Sequence, residues 1–274
     1  MHPICPLCGS SESARLRSVT HRDDYLDLLG MSYNALSREW LQCALCDHVH
    51  NSIRLSPEDL VTLYERFRDQ EWRKESPDEY FDRITAMQPE VSENSQKMSI
   101  LQQVAGSERL SQGGAAIDIG CGGGVLLHTA KKVLGAGWRF YGVEPTPSFA
   151  ELGSRRTGTT VINQNYKAGL FPDIKFDLAM CCQVLEHLDR PSEFVGEIRS
   201  DLGDDGLLYL EVPDVSDFQT LPQDHDRFMV QHISYFSQPI LQGLLTRSSF
   251  KILGSGVSTT VRGRNNLWFM AQAA

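Results

Sequence analysis

Two Cys-x-x-Cys knuckles open the chain: Cys5 and Cys8 in CPLCG, then Cys43 and Cys46 in CALCD. Two residues between thiols let one turn present both sulfurs, and two such pairs supply the four thiolates of a tetrahedral zinc site. With every position filled by sulfur the metal would be structural, folding a segment too small to bury a core alone. His48 and His50 flank the second knuckle as bystanders to it. A second constellation is the stretch IDIGCGGG at 117–124. Gly120, Gly122 and Gly124 let backbone approach a ligand without a Cβ in the way. Asp118 can take up a ligand's ammonium group. Glu144, in YGVEP, can accept both hydroxyls of a ribose.

These residues need elements to hold them. Strand-like runs fall at 115–119, 138–143, 160–162, 176–180, 207–212, 250–254 and 267–271, with helix-length segments at 125–134 and 148–156 between the early ones. That alternation predicts a mostly parallel sheet with helices on both faces. Ligands bind such sheets at the carboxyl ends of strands, near the switch point. The glycines would form the turn after the first strand. A phosphate-gripping loop requires Lys-Ser/Thr after its last glycine, and here Gly124 is followed by Val125 and Leu126. A dinucleotide fingerprint counted from Gly120 ends on Val125 where Gly or Ala belongs. A ligand with a ribose, an ammonium and no pyrophosphate remains: S-adenosylmethionine.

Composition narrows the class further. The chain has 274 residues, and at 41% hydrophobic it can bury a full core. No stretch approaches the roughly 20 apolar residues of a membrane helix. The N-terminus has no basic region followed by an apolar one, so the expected location is the cytoplasm. A net charge of −9 argues against nucleic acid as a main partner. Arg155-Arg156 and the cluster at 262–264 read as solvated surface. Seven cysteines in a chain this long do not suggest a secreted disulfide framework. From Ser56-Pro57 the pattern predicts a helix, then a loop near Pro77, then another helix over 95–105. Tyr64, Phe67, Trp72, Tyr80 and Phe81 in this region pack against the next domain or form a lid.

Residues 115–255 resemble a class I S-adenosylmethionine-dependent methyltransferase, with IDIGCGGG as first motif, GVEP as second, and FDLAMCCQVLEHLDRPSEFVGEIRSDLGDDGLLYLEVPD as the fourth strand, helix and fifth strand. The resemblance implies a Rossmann-like α/β fold: a seven-stranded sheet with its last strand antiparallel, beside a small N-terminal zinc-ribbon-like module. It divides the chain into a zinc-binding module at 1–54, a helical connector or lid at 55–112, and a methyltransferase domain at 113–274. It implies that Asp118, Gly120 and Gly122 cradle the methionine part and Glu144 holds the ribose. Asn165 would meet the adenine where the family often has an Asp, and Gln183 would line the pocket. Cys121 would pack or wall that pocket, and Cys181 and Cys182 would pack nearby.

The activated cofactor leaves the protein to supply alignment and desolvation, with a base only if the acceptor must lose a proton. DHDRFMVQHISYFS, with the paired knuckles, resembles zinc-containing methyltransferases of sugar and polysaccharide pathways. Those often carry Tyr, one residue, Glu-His; here Met229 and Gln231 replace the Tyr and the Glu, and His232 stays. The loss favours O- or N-transfer over transfer to carbon. His232 is the candidate base, and His187 in LEHL is the second candidate. The acceptor expected is a small molecule: a sugar, a nucleotide sugar or a secondary metabolite. Alternatives are an RNA methyltransferase whose zinc module grips RNA, and a non-catalytic scaffold. The acceptor's identity and the oligomeric state stay open.

Overall fold

The apolar runs join into one sheet in the computed structural model, which describes residues 3–30, 37–67, 74–216 and 218–274. The N-terminal part holds β1 (Ser13–Val19), α1 (Asp24–Leu28), β2 (Arg38–Cys43) and β3 (Val49–Asn51). Three helices bridge to the large sheet: α2 (Pro57–Phe67), α3 (Pro77–Thr85) and α4 (Glu93–Ala105), followed by the short α5 (Ser107–Ser111). Then come β4 (Gly114–Ile119), α6 (Val125–Leu134), β5 (Trp138–Val143), α7 (Pro147–Thr157), β6 (Thr160–Ile162) and β7 (Phe176–Cys182). The chain closes with α8 (Pro191–Asp201), β8 (Leu202–Pro213), β9 (Ser234–Tyr235), α9 (Gln238–Arg247), β10 (Phe250–Thr259) and β11 (Asn265–Ala273). Caps fix several of these starts. Ser76 and Glu79 form a reciprocal capping box on α3, and Pro stands in the first turn of α7, α8 and α9.

The large sheet runs in the order β10-β11-β8-β7-β4-β5-β6. β4 pairs in parallel with β5 and β7, while β11 runs antiparallel to both β8 and β10. The last strand is therefore the inverted one, as the sequence resemblance implies. The chain leaves β4 toward β5 on one side and reaches β7 on the other, so the carboxyl tip of β4 is the switch point. On one face Ile117, Ile119, Cys181, Leu210 and Phe269 pack with α8 and α9; on the other Ala116, Met180, Tyr209 and Met270 pack with α4 and α6. Each fully buried large apolar side chain contributes about 1.5–3 kcal/mol.

A second sheet, β1-β2-β3-β9, takes its outer strand from the segment after β8. Val49 pairs with Tyr235 and His50 with Ser234. Trp40 of β2 is fully buried there, its ring 4.9 Å from Tyr235 and 5.3 Å from Phe218. The N-terminal module is thus stitched into the larger domain. Of the aromatic run, Phe81 is buried and meets His128 edge-on, while Trp72 and the side chain of Phe67 lie outside the described residues. No helix among the described residues is long and apolar enough to cross a membrane. Removing Trp40 empties the joint: Trp40→Ala is expected to lower unfolding free energy by about 3–5 kcal/mol, read from urea denaturation.

Candidate functional site

The glycine turn sits where β4 ends. Gly120 adopts φ +70°, and a Cβ there would lie 2.5 Å from Val184, so only glycine fits the close approach of the segment after β7. The amides of Gly120 and Cys121 donate to the carbonyl of Val143 at 2.8 and 3.1 Å, docking the turn on the tip of β5. Glu144, buried just past that tip, accepts from the amide of Gly122 at 2.8 Å and from the amide of Thr146 at 2.9 Å. One carboxylate therefore ties the turn after β4 to the start of α7. It still has lone pairs for hydroxyl donors.

Charge is concentrated beneath this turn. Asp118 is fully buried, one of its oxygens has no hydrogen-bond partner, and burial, aided by Glu144, pushes its pKa up to about 8. Lys97 of α4 forms a buried ion pair with Glu211 of β8 at 3.0 Å. Burial opposes the Lys97 charge, but Glu211 beside it more than offsets this and leaves the pKa above its ordinary value. Glu211 also accepts from the amides of Asn266 at 3.2 Å and Gln183 at 3.3 Å. Gln183 holds φ +57°, a strained left-handed turn at the end of β7 that aims the next residues into the site.

A cavity of about 790 Å3 opens over these strand tips, within the roughly 300–1,000 Å3 range of small-molecule pockets. Its lining includes Gly120, Glu144, Asn165 and Gln183 from the strand tips together with Tyr64, His187 and His232. The histidine rings lie 5.0 Å apart, and Tyr64 meets His187 edge-on at 6.0 Å. The Nδ1 of His187 lies 2.9 Å from the carbonyl of Gln231; that of His232 lies 3.1 Å from the carbonyl of Arg227 and 2.8 Å from the hydroxyl of Tyr235. Burial, aided by His187, lowers the pKa of His232 to about 3, so its ring is neutral across the physiological range.

Cys5, Cys8, Cys43 and Cys46 converge at the head of the N-terminal module, all as free thiols. Cys5 and Cys46 sulfurs are 3.7 Å apart, and those of Cys8 and Cys43 are 3.5 Å apart. A zinc ion at its usual bond length of about 2.3 Å puts tetrahedral sulfurs about 3.8 Å apart, so the donor set fits the metal in chemistry and spacing. His48 and His50 stay outside this cluster: His48 bonds Ser234 at 3.0 Å, and His50 faces Ser13 at 3.3 Å.

The sequence-predicted residues divide between wall and foundation. Gly120, Glu144, Asn165, Gln183, His187 and His232 line the cavity, whereas Asp118, Cys121 and Gly122 are not among its lining residues. Cys121 points into the core beside Gly142 and Leu127, its sulfur taking the space that a Cβ at Gly142 would fill. Arg155 and Arg156 pair with Asp78 and Asp82 at the surface, but Arg262 and Arg264 line the cavity instead of facing bulk water alone. The Lys97–Glu211 pair was not foreseen. Its trace in the sequence is one acid, Glu211, within the apolar run 207–212, and the one cation on its helix, Lys97.

Seven strands in this order with one inverted, a glycine turn on the first parallel tip and an acid on the second define a class I S-adenosylmethionine-dependent methyltransferase. The chain belongs to the methyltransferase-domain family, whose pattern matches residues 90–254. It is 27% identical over 108 residues to a ubiquinone biosynthesis O-methyltransferase of Glaesserella parasuis serovar 5, covering 36% of this chain and 44% of that one. With the protein of the same description from Methylococcus capsulatus it shares 33% over 89 residues, covering 30% and 36%. The chain spans less than half the length of these curated relatives. Among solved structures it is similar to magnesium protoporphyrin IX methyltransferase from Synechocystis with bound SAH, with TM-score 0.57, 16% identity, and coverage of 78% of this chain and 99% of that one. An O-methyltransferase family protein from Burkholderia thailandensis gives TM-score 0.53 at 14% identity, covering 76% and 64%. At these identities the structural likeness speaks to the fold.

Asp118 yields a pH prediction for the cofactor-free protein. Its folded pKa is raised from 3.8 to about 8, so the stability it contributes is present below 3.8 and is lost as pH rises through about 8. Asp118→Asn is expected to flatten that loss by more than about 1 kcal/mol across the window, measured by urea unfolding at several pH values.

Proposed function

We propose that the chain transfers the methyl group of S-adenosylmethionine to a hydroxyl of a small molecule, with its cysteine cluster holding a structural zinc ion. The observation that carries the reading is one cavity lined both by the strand-tip residues with Glu144 and by His187 and His232. Glu144 would take the ribose hydroxyls, Asn165 would meet the adenine, and Gly120 and Gln183 would border the methionine part. Asp118 and the amide of Gly122 would act from beneath, Asp118 by giving up its proton when the cationic cofactor lies above it and Gly122 by fixing Glu144.

When bound, the cofactor supplies a methyl group already activated for in-line displacement. The protein's share is to hold the acceptor in line, exclude water and take up the hydroxyl proton. The histidine pair and Tyr64 form the acceptor side, and the backbone contacts at Nδ1 hold both rings in place. O-transfer is favoured by the absence of the Tyr and Glu that sugar-carbon methyltransferases carry beside the histidine, and by the O-methyltransferases among the chain's relatives. Arg262 on the cavity wall, beside Arg264 that is paired with Asp226, suits an acceptor with an anionic group, such as a nucleotide sugar, over a neutral metabolite.

Two variants test this reading. Glu144→Ala is expected to weaken S-adenosylhomocysteine binding by about 1–3 kcal/mol, the scale of hydrogen bonds to a charged group; unchanged affinity by calorimetry would refute the ribose assignment. His232→Ala is expected to lower turnover on a hydroxylated acceptor by roughly a hundred- to ten-thousand-fold while cofactor affinity stays as it was. Undiminished turnover would remove His232 from the chemistry.

A further inference from the structure

Glu186 is a buried acid without a donor. It lies in the single 3-10 turn Leu185–His187 after β7, is 1% exposed, and neither of its carboxylate oxygens has a hydrogen-bond partner. The guanidinium of Arg227 donates instead to the carbonyls of Asp214 and Asn265. A carboxylate stripped of water in this way is costly unless a cation or a proton joins it.

Two imidazoles border the same point. Nε2 of His187 is 3.8 Å from a Glu186 oxygen, and one ligand atom from each of Glu186, His187 and His232 lies within 4.8 Å of the other two. In both rings Nδ1 faces a backbone carbonyl, which can only accept, so Nδ1 carries the hydrogen and Nε2 the lone pair. Metal-binding histidines are held by this kind of contact. The segment that carries His232 is itself fastened to the Glu186 turn, since the amide of Ile233 donates to the Glu186 carbonyl at 2.8 Å.

We infer that Glu186, His187 and His232 form a second metal site, a two-histidine, one-carboxylate set for a divalent transition ion such as zinc, iron or manganese. Imidazole and carboxylate suit those ions, and three protein ligands leave coordination positions open. The two histidines line the cavity and Glu186 is not among its lining residues, so an ion held by the set would lie at the cavity's edge. What the ion would do rests on the proposed hydroxyl transfer, with His232 serving as a ligand to the ion in place of taking up the proton itself. It would bind the acceptor oxygen and lower its pKa, the proton leaving to solvent. That oxygen would then form its bond to the methyl carbon, while the electron pair of the breaking carbon–sulfur bond stays on the departing thioether.

Cobalt(II) is the probe. The whole chain is produced in cobalt-supplemented medium, bound cobalt per chain is counted by mass spectrometry, and the visible spectrum is recorded. Two ions per chain are expected, one with thiolate charge-transfer bands from the cysteine cluster and one with only weak ligand-field bands from nitrogen and oxygen ligands. Glu186→Gln is expected to halve the count and remove the weak bands, with the thiolate bands kept as a sign that the fold survives; His232→Ala should do the same. One ion per chain with thiolate bands overturns the site, as does a Glu186→Gln protein that keeps both ions; Glu186 then carries a proton instead. One ion without thiolate bands upholds it and removes zinc from the cysteines. S-adenosylhomocysteine binding, measured on the same samples, distinguishes failure of the metal site from failure of the methyltransferase reading.

Discussion

The bond from the Gly122 amide to the Glu144 carboxylate is the joint on which the site depends. It crosses from the turn after one strand to the tip of its neighbour, and the same carboxylate starts the helix that follows. Without it the buried Gly122 amide would have no fixed partner, although the neighbouring amides of Gly120 and Cys121 hold the Val143 carbonyl. With it, two strand tips become one rigid edge, and a ligand laid along that edge meets backbone on one side and an anion on the other. The sheet order supplies the space, because the chain leaves the tip of β4 in opposite directions.

A second clasp joins the N-terminal module to the segment that carries His232. β3 pairs with β9, the amide of Asn51 donates to the Ile233 carbonyl at 2.9 Å, and its side chain reaches the carbonyl of His232 at 3.4 Å. Ile233 in turn holds the Glu186 carbonyl. The N-terminal module thus braces the segment that presents His232, which has little regular structure of its own. A metal held by the cysteine cluster would thereby bear on the position of the His232 side chain, through a short run of sheet bonds.

Much of this was legible in the sequence, for physical reasons that can be named. β5 and β6 ran as read, each an apolar run bounded by turn residues. β8 started earlier than the reading at 207, because Gly203-Asp204-Asp205-Gly206 has the composition of a turn but is absorbed as a bulge opposite β7, with Asp205 at φ +62°. β10 extended past Gly254 because Gly256 does not break it: the indole of Trp268 lies across the space a Cβ would fill. The strand-tip residues were readable since motif and fold share one short segment. The convergence of Glu186, His187 and His232 was less so, because it depends on where a long, irregular connection returns, and local pattern carries no register for that. The sharing of a strand between the N-terminal module and the loop after β8 escaped for the same reason: β9 is two residues long.

The central claim is that the cofactor lies along the Gly120–Glu144 edge with its sulfur turned toward the two histidines. A crystal structure grown with saturating S-adenosylhomocysteine tests it most directly. The account predicts the ribose hydroxyls on Glu144 and the thioether sulfur facing His187 and His232 across the cavity. A crevice without the nucleoside, or a sulfur directed away from the histidine wall, would contradict it.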